Sequence, residues 1–386
     1  MTVRSSNLQN IKATVPDARA RAILSAIIRE HLLTGEPAGS RTISDHFAHA
    51  SGWSPATIRN IMAELEEAGL VEQPHTSAGR LPTDAGYRFY VDNMLGDIEL
   101  GDKDAIAINT MLGIAMGETS YSPDKLMEKT SQLLSSLSQN VGIVVSPSLA
   151  DNVLQRIEFI KLADKRILVV LVSAQNIVHN KIIRLDEELS QDELDRTARY
   201  LNTEFGGKSL AVIRSEIVEL MREEKALYDR LLRNAILLCA TSIEGEEATT
   251  GEVYVDGASN ILSKPDFAVD IEGMRELFRT FEEKSRLVKI LNECINRDCT
   301  MHGSVQVVIG REHSTISMQS CALITAPYRV GNGEAIGTLS VIGPMRIEYA
   351  RMIAVVSYVA RLIERTLSED PIAWMKGTHQ AIEDIN

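Results

Sequence analysis

One short segment limits the fold of this chain more than any other. Ser54 followed by Pro55 starts a helix and Gly69 stops it, with Ile58, Ile61, Met62 and Leu65 as an apolar stripe between. A serine side chain accepts from the first orphan N–H groups of a helix. A proline just inside the start lacks an N–H where none would be bonded, and glycine adopts the left-handed conformation that ends the helix. A helix this short is marginal alone and needs partners. They lie just upstream: Ile23, Leu24, Ile27, Ile28 and Leu32 recur at helical spacing until Gly35 and Pro37, and Ser40 can cap a second helix with Ile43 and Phe47 on one face. Three short helices with a polar break between the second and third read as a helix-turn-helix variant.

After Gly69 come Leu70 and Val71, then the polar run from Gln73 to Arg80, then Leu81 and Pro82. That pattern predicts a strand, a flexible loop and a short return, which is a wing. Thr83 can cap a helix through Tyr87, Phe89, Tyr90, Val91 and Leu95, whose aromatics read as packing groups because they follow a cap at helical spacing. Residues 96–104, rich in Gly and Asp, read as a linker.

The rest alternates between strand and helix patterns. A helix over 125–137 leads to an apolar strand over 141–145, and runs over 157–162, 167–172 and 177–183 predict an antiparallel meander. Helices follow over 191–205 and 214–238. Further on, helices over 273–295 and 349–366 flank strands over 305–309, 322–326 and 336–341, an α+β arrangement. The 386 residues suffice for two or three domains. The unbroken apolar run 167–172 has six residues, far short of the roughly 18 a membrane helix needs, so no membrane partner is expected. The polar start from Met1 to Asn7 has no apolar core of a signal peptide, and the four cysteines are too few for a disulfide scaffold, so the expected compartment is a reducing cytoplasm.

The net charge of −13 argues against indiscriminate binding to nucleic acid. It is unevenly spread. Residues 1–95 carry nine Lys and Arg against ten Asp and Glu, and the remainder 31 against 43. A near-neutral head on an acidic body suits a compact DNA-reading head without requiring one.

Within that head, the first turns of the third helix offer Ser54, Thr57 and Asn60 for base edges and Arg59 for a phosphate or a guanine. The acidic end, Glu64, Glu66 and Glu67, would be repelled by phosphates. The bland alternative is a well-started helix with Asn60 merely solvated. His75, Thr76, Ser77 and Arg80 in the loop suit phosphate or minor-groove contact, or form a solvated turn. Arg41 and Thr42 at the start of the second helix can hold a phosphate beside free backbone N–H groups.

Elsewhere the signals are weak. Cys294, Cys299 and His302 lack a clear fourth ligand, so no metal is expected. Gly331-Asn332-Gly333 with Gly337 opens no helix and reads as a hairpin turn. No catalytic constellation emerges, so no enzyme and no cofactor are expected.

The strings Thr34-Gly35-Glu36-Pro37-Ala38-Gly39-Ser40-Arg41-Thr42, Ser54-Pro55-Ala56-Thr57-Ile58-Arg59-Asn60 and Gln73-Pro74-His75-Thr76-Ser77-Ala78-Gly79-Arg80-Leu81-Pro82-Thr83-Asp84, continuing from Gly86 to Asp92, closely resemble the heat-inducible transcription repressors of the HrcA family. Val341-Ile342-Gly343-Pro344 with Arg346 and Tyr349 is a second, shorter match. Ala38 stands where Val is usual and Met345 where Thr is usual. The resemblance implies a winged-helix head over 1–95, a GAF-like domain over 105–152 and 229–368, and an inserted dimerising α+β segment over 153–228. It also implies a homodimer that represses chaperone operons by binding the double-stranded inverted repeat CIRCE, released on heat stress and assisted by the GroE chaperonin. The alternative is a ligand sensor or enzyme with its pocket in the GAF-like body.

Overall fold

The structure is a computed structural model that describes residues 16–47, 52–96, 98–112, 123–147, 153–173, 178–185, 188–210, 212–213, 215–216, 234, 237–238, 251–264, 266, 271–295, 301–302, 305–330 and 335–369. It is α+β and multidomain, with two compact units. One comprises Met1–Glu99, Val308–Ala322 and Gly343–Met352; the other comprises Leu100–Val307, Leu323–Ile342 and Ile353–Asn386. Among the described residues no helix is long and apolar enough to cross a membrane.

In the first unit, α1 (Ala18–Thr34) starts at Asp17, whose carboxylate accepts the Ala20 N–H at 2.7 Å, and ends at Gly35 in the left-handed region. Helices α2 (Ser40–Phe47) and α3 (Pro55–Glu67) follow, then β1 (Val71–Glu72), β2 (Leu81–Pro82) and α4 (Asp84–Asn93). Ser40 is the first residue of α2 rather than its cap, since the Ile43 N–H already reaches the Gly39 carbonyl. Strands β1 and β2 pair antiparallel, Val71 opposite Pro82. Ile23, Leu24, Ile27, Ile28, Ile43, Ile58, Met62, Leu65, Tyr87 and Val91 are buried, so each of the four helices contributes the face its periodicity marks. Ile61 sits at the edge of that core, half-buried.

In the second unit α5 (Asp102–Met111), α6 (Pro123–Ser138) and β3 (Val141–Val145) come first, every residue of β3 being buried. Next come β4 (Leu154–Lys161), β5 (Arg166–Ser173), β6 (Val178–Arg184) and α7 (Gln191–Phe205). The meander is present in the order β4-β5-β6, its first turn made by Asp164 and Lys165 at positive φ. One face of it packs Ile157, Phe159, Ile167, Val169 and Ile183 against Leu194, Leu201 and Phe205 of α7. A capping box between Ser190 and Glu193 starts α7. The α7 amides seal the outer edge of β4. Asn202 accepts the Ile157 N–H at 2.7 Å and donates to its carbonyl, while Gln191 does the same for Lys161 N–H and Phe159 carbonyl. Such sealing keeps an edge strand from pairing with another chain.

The chain continues with β7 (Val253–Asp256), α8 (Ala258–Leu262), α9 (Ile271–Glu282), α10 (Lys284–Ile295), β8 (Met301–His302), β9 (Val305–Ile309), β10 (Cys321–Val330), β11 (Ala335–Pro344) and α11 (Tyr349–Glu369). A six-stranded sheet runs β7-β3-β11-β10-β9-β8. The single helix expected over 273–295 is two. The Glu283 N–H closes α9 on Arg279, and the Glu283 carbonyl then accepts from Arg286 and Leu287 to begin α10. Each half buries its own face, Leu277 and Phe281 in one, Leu287 and Leu291 in the other. Most of the helix expected over 214–238, together with Cys299 and the turn at Gly331-Asn332-Gly333, lies outside the described residues.

Candidate nucleic-acid interface

The third helix is held by its own start and by contacts from α2 to Trp53. Ser54 Oγ accepts the Thr57 N–H at 3.2 Å and lies 3.0 Å from Thr57 Oγ1. Phe47 and Trp53 rings pack tilted with centroids 4.9 Å apart, and Ser44 Oγ donates to the Trp53 carbonyl at 2.8 Å, which ties α2 to the residue before the α3 cap. With Ile58, Met62 and Leu65 buried, the opposite face of α3 presents Ser54, Thr57, Arg59 and Asn60, all exposed. That set offers hydroxyl, amide and guanidinium groups on the first turns of one short helix, the chemistry that base edges and phosphates require. Glu64 and Glu67 are exposed further along, so negative charge is confined to the far end. Ser54 Oγ is committed to the cap as acceptor and shares a hydroxyl–hydroxyl contact with Thr57.

His75, Thr76 and Ser77 share one tight turn, closed by the Ala78 N–H on the His75 carbonyl at 2.8 Å, and all three are exposed. The loop is more ordered than its polar composition suggests. Gln73 Nε2 donates to the carbonyls of Thr76 and Ala78, both at 3.0 Å, and so straps the turn from inside. Nothing in a lone glutamine signals this; only its position three residues before Thr76 hints at it. Arg41 and Thr42 are exposed on the first turn of α2.

Arg80 stands apart from the other candidates. Its backbone is joined to Ala38 by two hydrogen bonds of 2.9 Å, N–H to carbonyl in each direction. Its guanidinium meets Glu66 Oε2 at 2.8 Å, with only 14% of the side chain exposed. Gly79 makes this approach possible, since a Cβ there would lie 2.3 Å from the Ala38 carbonyl oxygen. Glu66, noted from sequence only as part of a repulsive acidic end, is therefore paired.

Residues 124–353 match the family described as HrcA protein C terminal domain. The chain is 41% identical over 349 residues to the heat-inducible transcription repressor HrcA of Geobacter sulfurreducens, covering 90% of this chain and 97% of that one. It is 36% identical over 351 residues to the protein of the same name from Syntrophobacter fumaroxidans, covering 91% and 97%. A crystal structure described as that of a hypothetical protein at 2.2 Å resolution shares the fold, with TM-score 0.62 and 23% identity over 91% of this chain and 98% of the other.

Proposed function

The chain belongs to the HrcA family of heat-inducible transcription repressors, and from that premise we propose that it is a transcription repressor which binds double-stranded DNA through a winged-helix head. The observation that carries the proposal is the exposed set Ser54, Thr57, Arg59 and Asn60 at the capped start and first turns of α3. In this reading α3 enters the major groove, and the turn of His75, Thr76 and Ser77 reaches a neighbouring phosphate or the minor groove as the wing. Arg41 and Thr42 bind a phosphate at the start of α2. The target is the inverted repeat CIRCE upstream of chaperone operons, and heat releases it.

An inverted repeat is met by a two-fold dimer. We place the dimer contact on the segment 153–228. Support comes from the face of the meander that α7 leaves uncovered, where Ile160, Leu168 and Ile182 stand in register across three strands and Ile182 is 58% exposed. The remaining α+β body, 105–152 and 229–368, is assigned as GAF-like. The GroE chaperonin assists folding, the compartment is the cytoplasm, and no enzymatic step or cofactor is part of the proposal. A gel shift on the inverted repeat across a salt series tests it. A protein neutralising several phosphates loses affinity steeply with salt and retains a preference for the repeat over scrambled DNA. Equal weak binding to both sequences would remove the assignment.

A further inference from the structure

We propose that Arg80 and Glu66 are positioning residues that set the wing against the recognition helix, and that Arg80 makes no contact with DNA. The inference deepens the DNA-binding reading above and rests on it. Four observations converge. The guanidinium of Arg80 meets Glu66 Oε2 on the last turn of α3 at 2.8 Å. Arg80 Nε is buried and has no hydrogen-bond partner among the described residues, so no phosphate oxygen reaches it without rearrangement. The Arg80 backbone is fastened in both directions to Ala38 in the link between α1 and α2. Immediately before it, the Gln73 amide holds the carbonyls of Thr76 and Ala78.

One residue at the root of the wing is thus tied to the first two helices by its backbone and to the third by its side chain. An exposed ion pair would contribute little, because solvent screens it and two long side chains lose freedom. This one differs because Arg80 is mostly enclosed. Turning the guanidinium outward toward DNA would break the ion pair and leave Glu66 unpaired near a phosphate backbone. Within the pair, Glu66 also ceases to be a net repulsive charge. The geometry therefore assigns phosphate contact to Arg41, Arg59 and the loop tip, and assigns the spacing between α3 and that tip to Arg80 and Glu66.

The test compares Arg80→Ala, Glu66→Ala and the charge-exchanged double variant Arg80→Glu with Glu66→Arg in the full-length protein. Two readouts are used: amide hydrogen exchange over 73–80, and operator affinity as a function of salt. A positioning pair predicts that both single variants exchange faster over 73–80 while α1 does not. Both would lose about tenfold in operator affinity, roughly the worth of one lost contact. The salt slope stays at the wild-type value because no phosphate contact is removed, and the exchanged pair recovers affinity and protection. Unchanged exchange in both single variants overturns the proposal. So does the opposite pattern on DNA, in which Arg80→Ala lowers the salt slope by about one while Glu66→Ala binds as well as wild type or better. If the wild type itself ignores the inverted repeat, the DNA-binding reading has failed, and the exchange measurement still decides whether the pair holds the wing.

Discussion

Arg88 and Glu312, 224 positions apart in the chain, meet fork to fork within one compact unit: Arg88 Nε donates to Glu312 Oε1 at 2.7 Å and Nη2 donates to Oε2. Bidentate geometry makes such a pair stronger and more directional than a single contact. Around it, Glu312 Oε2 also accepts the Ile309 N–H at 2.8 Å, and Asp84 Oδ2 accepts the Arg311 N–H at 2.9 Å. Gly310 lies between them at φ 54°, where a Cβ would fall 2.5 Å from the Asp84 carboxylate. Burial works against the charged form of Arg88, but Glu312 and Asp92 outweigh it and hold the guanidinium above its ordinary value. Tyr87 packs its ring 5.7 Å from that of Tyr349 and its hydroxyl lies 2.6 Å from His31 Nδ1. The four-helix head is therefore built on segments from the far end of the chain.

Removing Glu312 should loosen the head. Glu312→Ala removes the bidentate partner of the enclosed Arg88 guanidinium and strips the Ile309 N–H of its acceptor, a loss of about 1 to 3 kcal/mol for charge-assisted bonds. Arg88→Lys should not restore stability, since an ammonium cannot span both carboxylate oxygens. Chemical denaturation followed by Trp53 fluorescence, with the C-terminal tryptophan replaced, reads the effect. A midpoint equal to wild type in Glu312→Ala would show that the pair is idle. The fragment 1–99 should likewise unfold at lower denaturant than the head in the whole chain.

Local chemistry was legible and long-range chemistry was not. Ser54 and Thr83 each cap the helix their position predicts, and Gly35 ends α1; the Asp17 cap of α1 is a further one. The meander was readable because its three runs are apolar, closely spaced and separated by turn residues. Strand β7 carries no such signal, although Val253, Tyr254 and Val255 stand between Gly251 and Gly257, because four residues are too few for a periodicity to show. The break at Glu283 carries neither Gly nor Pro, and helical spacing continues across it. At the candidate interface the residues exposed on α3 and in the loop turn could be anticipated from cap and composition. Arg80 could not be separated from them, because its neighbours Ala38 and Glu66 are brought to it only by the packed fold. Arg88 sits in an aromatic string with no sign that its partner lies beyond the long first segment of the second unit, Leu100–Val307.

Asn60→Ala and Arg59→Ala should act differently on operator binding. An amide that reads a base edge costs about 1 to 3 kcal/mol when lost and flattens discrimination at one position of the site. A guanidinium on a phosphate weakens all sequences alike and reduces the salt slope by about one. Titrations of both variants on the repeat and on single-position mutants separate the two roles. Wild-type affinity in Asn60→Ala would sink its assignment.

A charge on the open face of the meander should dissociate the dimer. Ile182→Asp places a carboxylate beside Leu168 across the strand pair without touching the face packed on α7, where Ile183 is buried. Sedimentation should then give a monomer with normal circular dichroism and only weak half-site affinity. A dimer as stable as wild type would move the contact elsewhere.

Alkaline pH should destabilise the fold through Cys321. Burial pushes its thiol up from 9.0 to about 12, against which the Ser320 hydrogen bond acts only weakly. The unfolded thiol ionises first, so the folded state holds more protons between these values and stability falls as pH rises from about 9 toward 12. Cys321→Ala should flatten this part of the pH profile in denaturant midpoints. An identical profile in the variant would show that other groups, the buried Tyr328 and Tyr349 hydroxyls among them, carry the slope.

Folding should be slow and chaperonin-dependent. The first unit needs residues 308–322 and 343–352 before the Arg88 and Tyr87 contacts close, so long loops must be ordered before those contacts repay their entropy. The six-stranded sheet likewise sets β3 between β7 and β11, partners far apart in the chain. Until these pairings form, apolar strands such as β5 and β9 stay open to association. Diverting the chaperonin to heat-damaged clients would then shrink the pool of folded repressor and free its operons. Dilution from denaturant at physiological temperature should give aggregation alone, and a higher yield of operator-binding protein when GroE and ATP are present. Rapid, complete refolding without them would discard this route to heat induction and leave the DNA-binding assignment untouched.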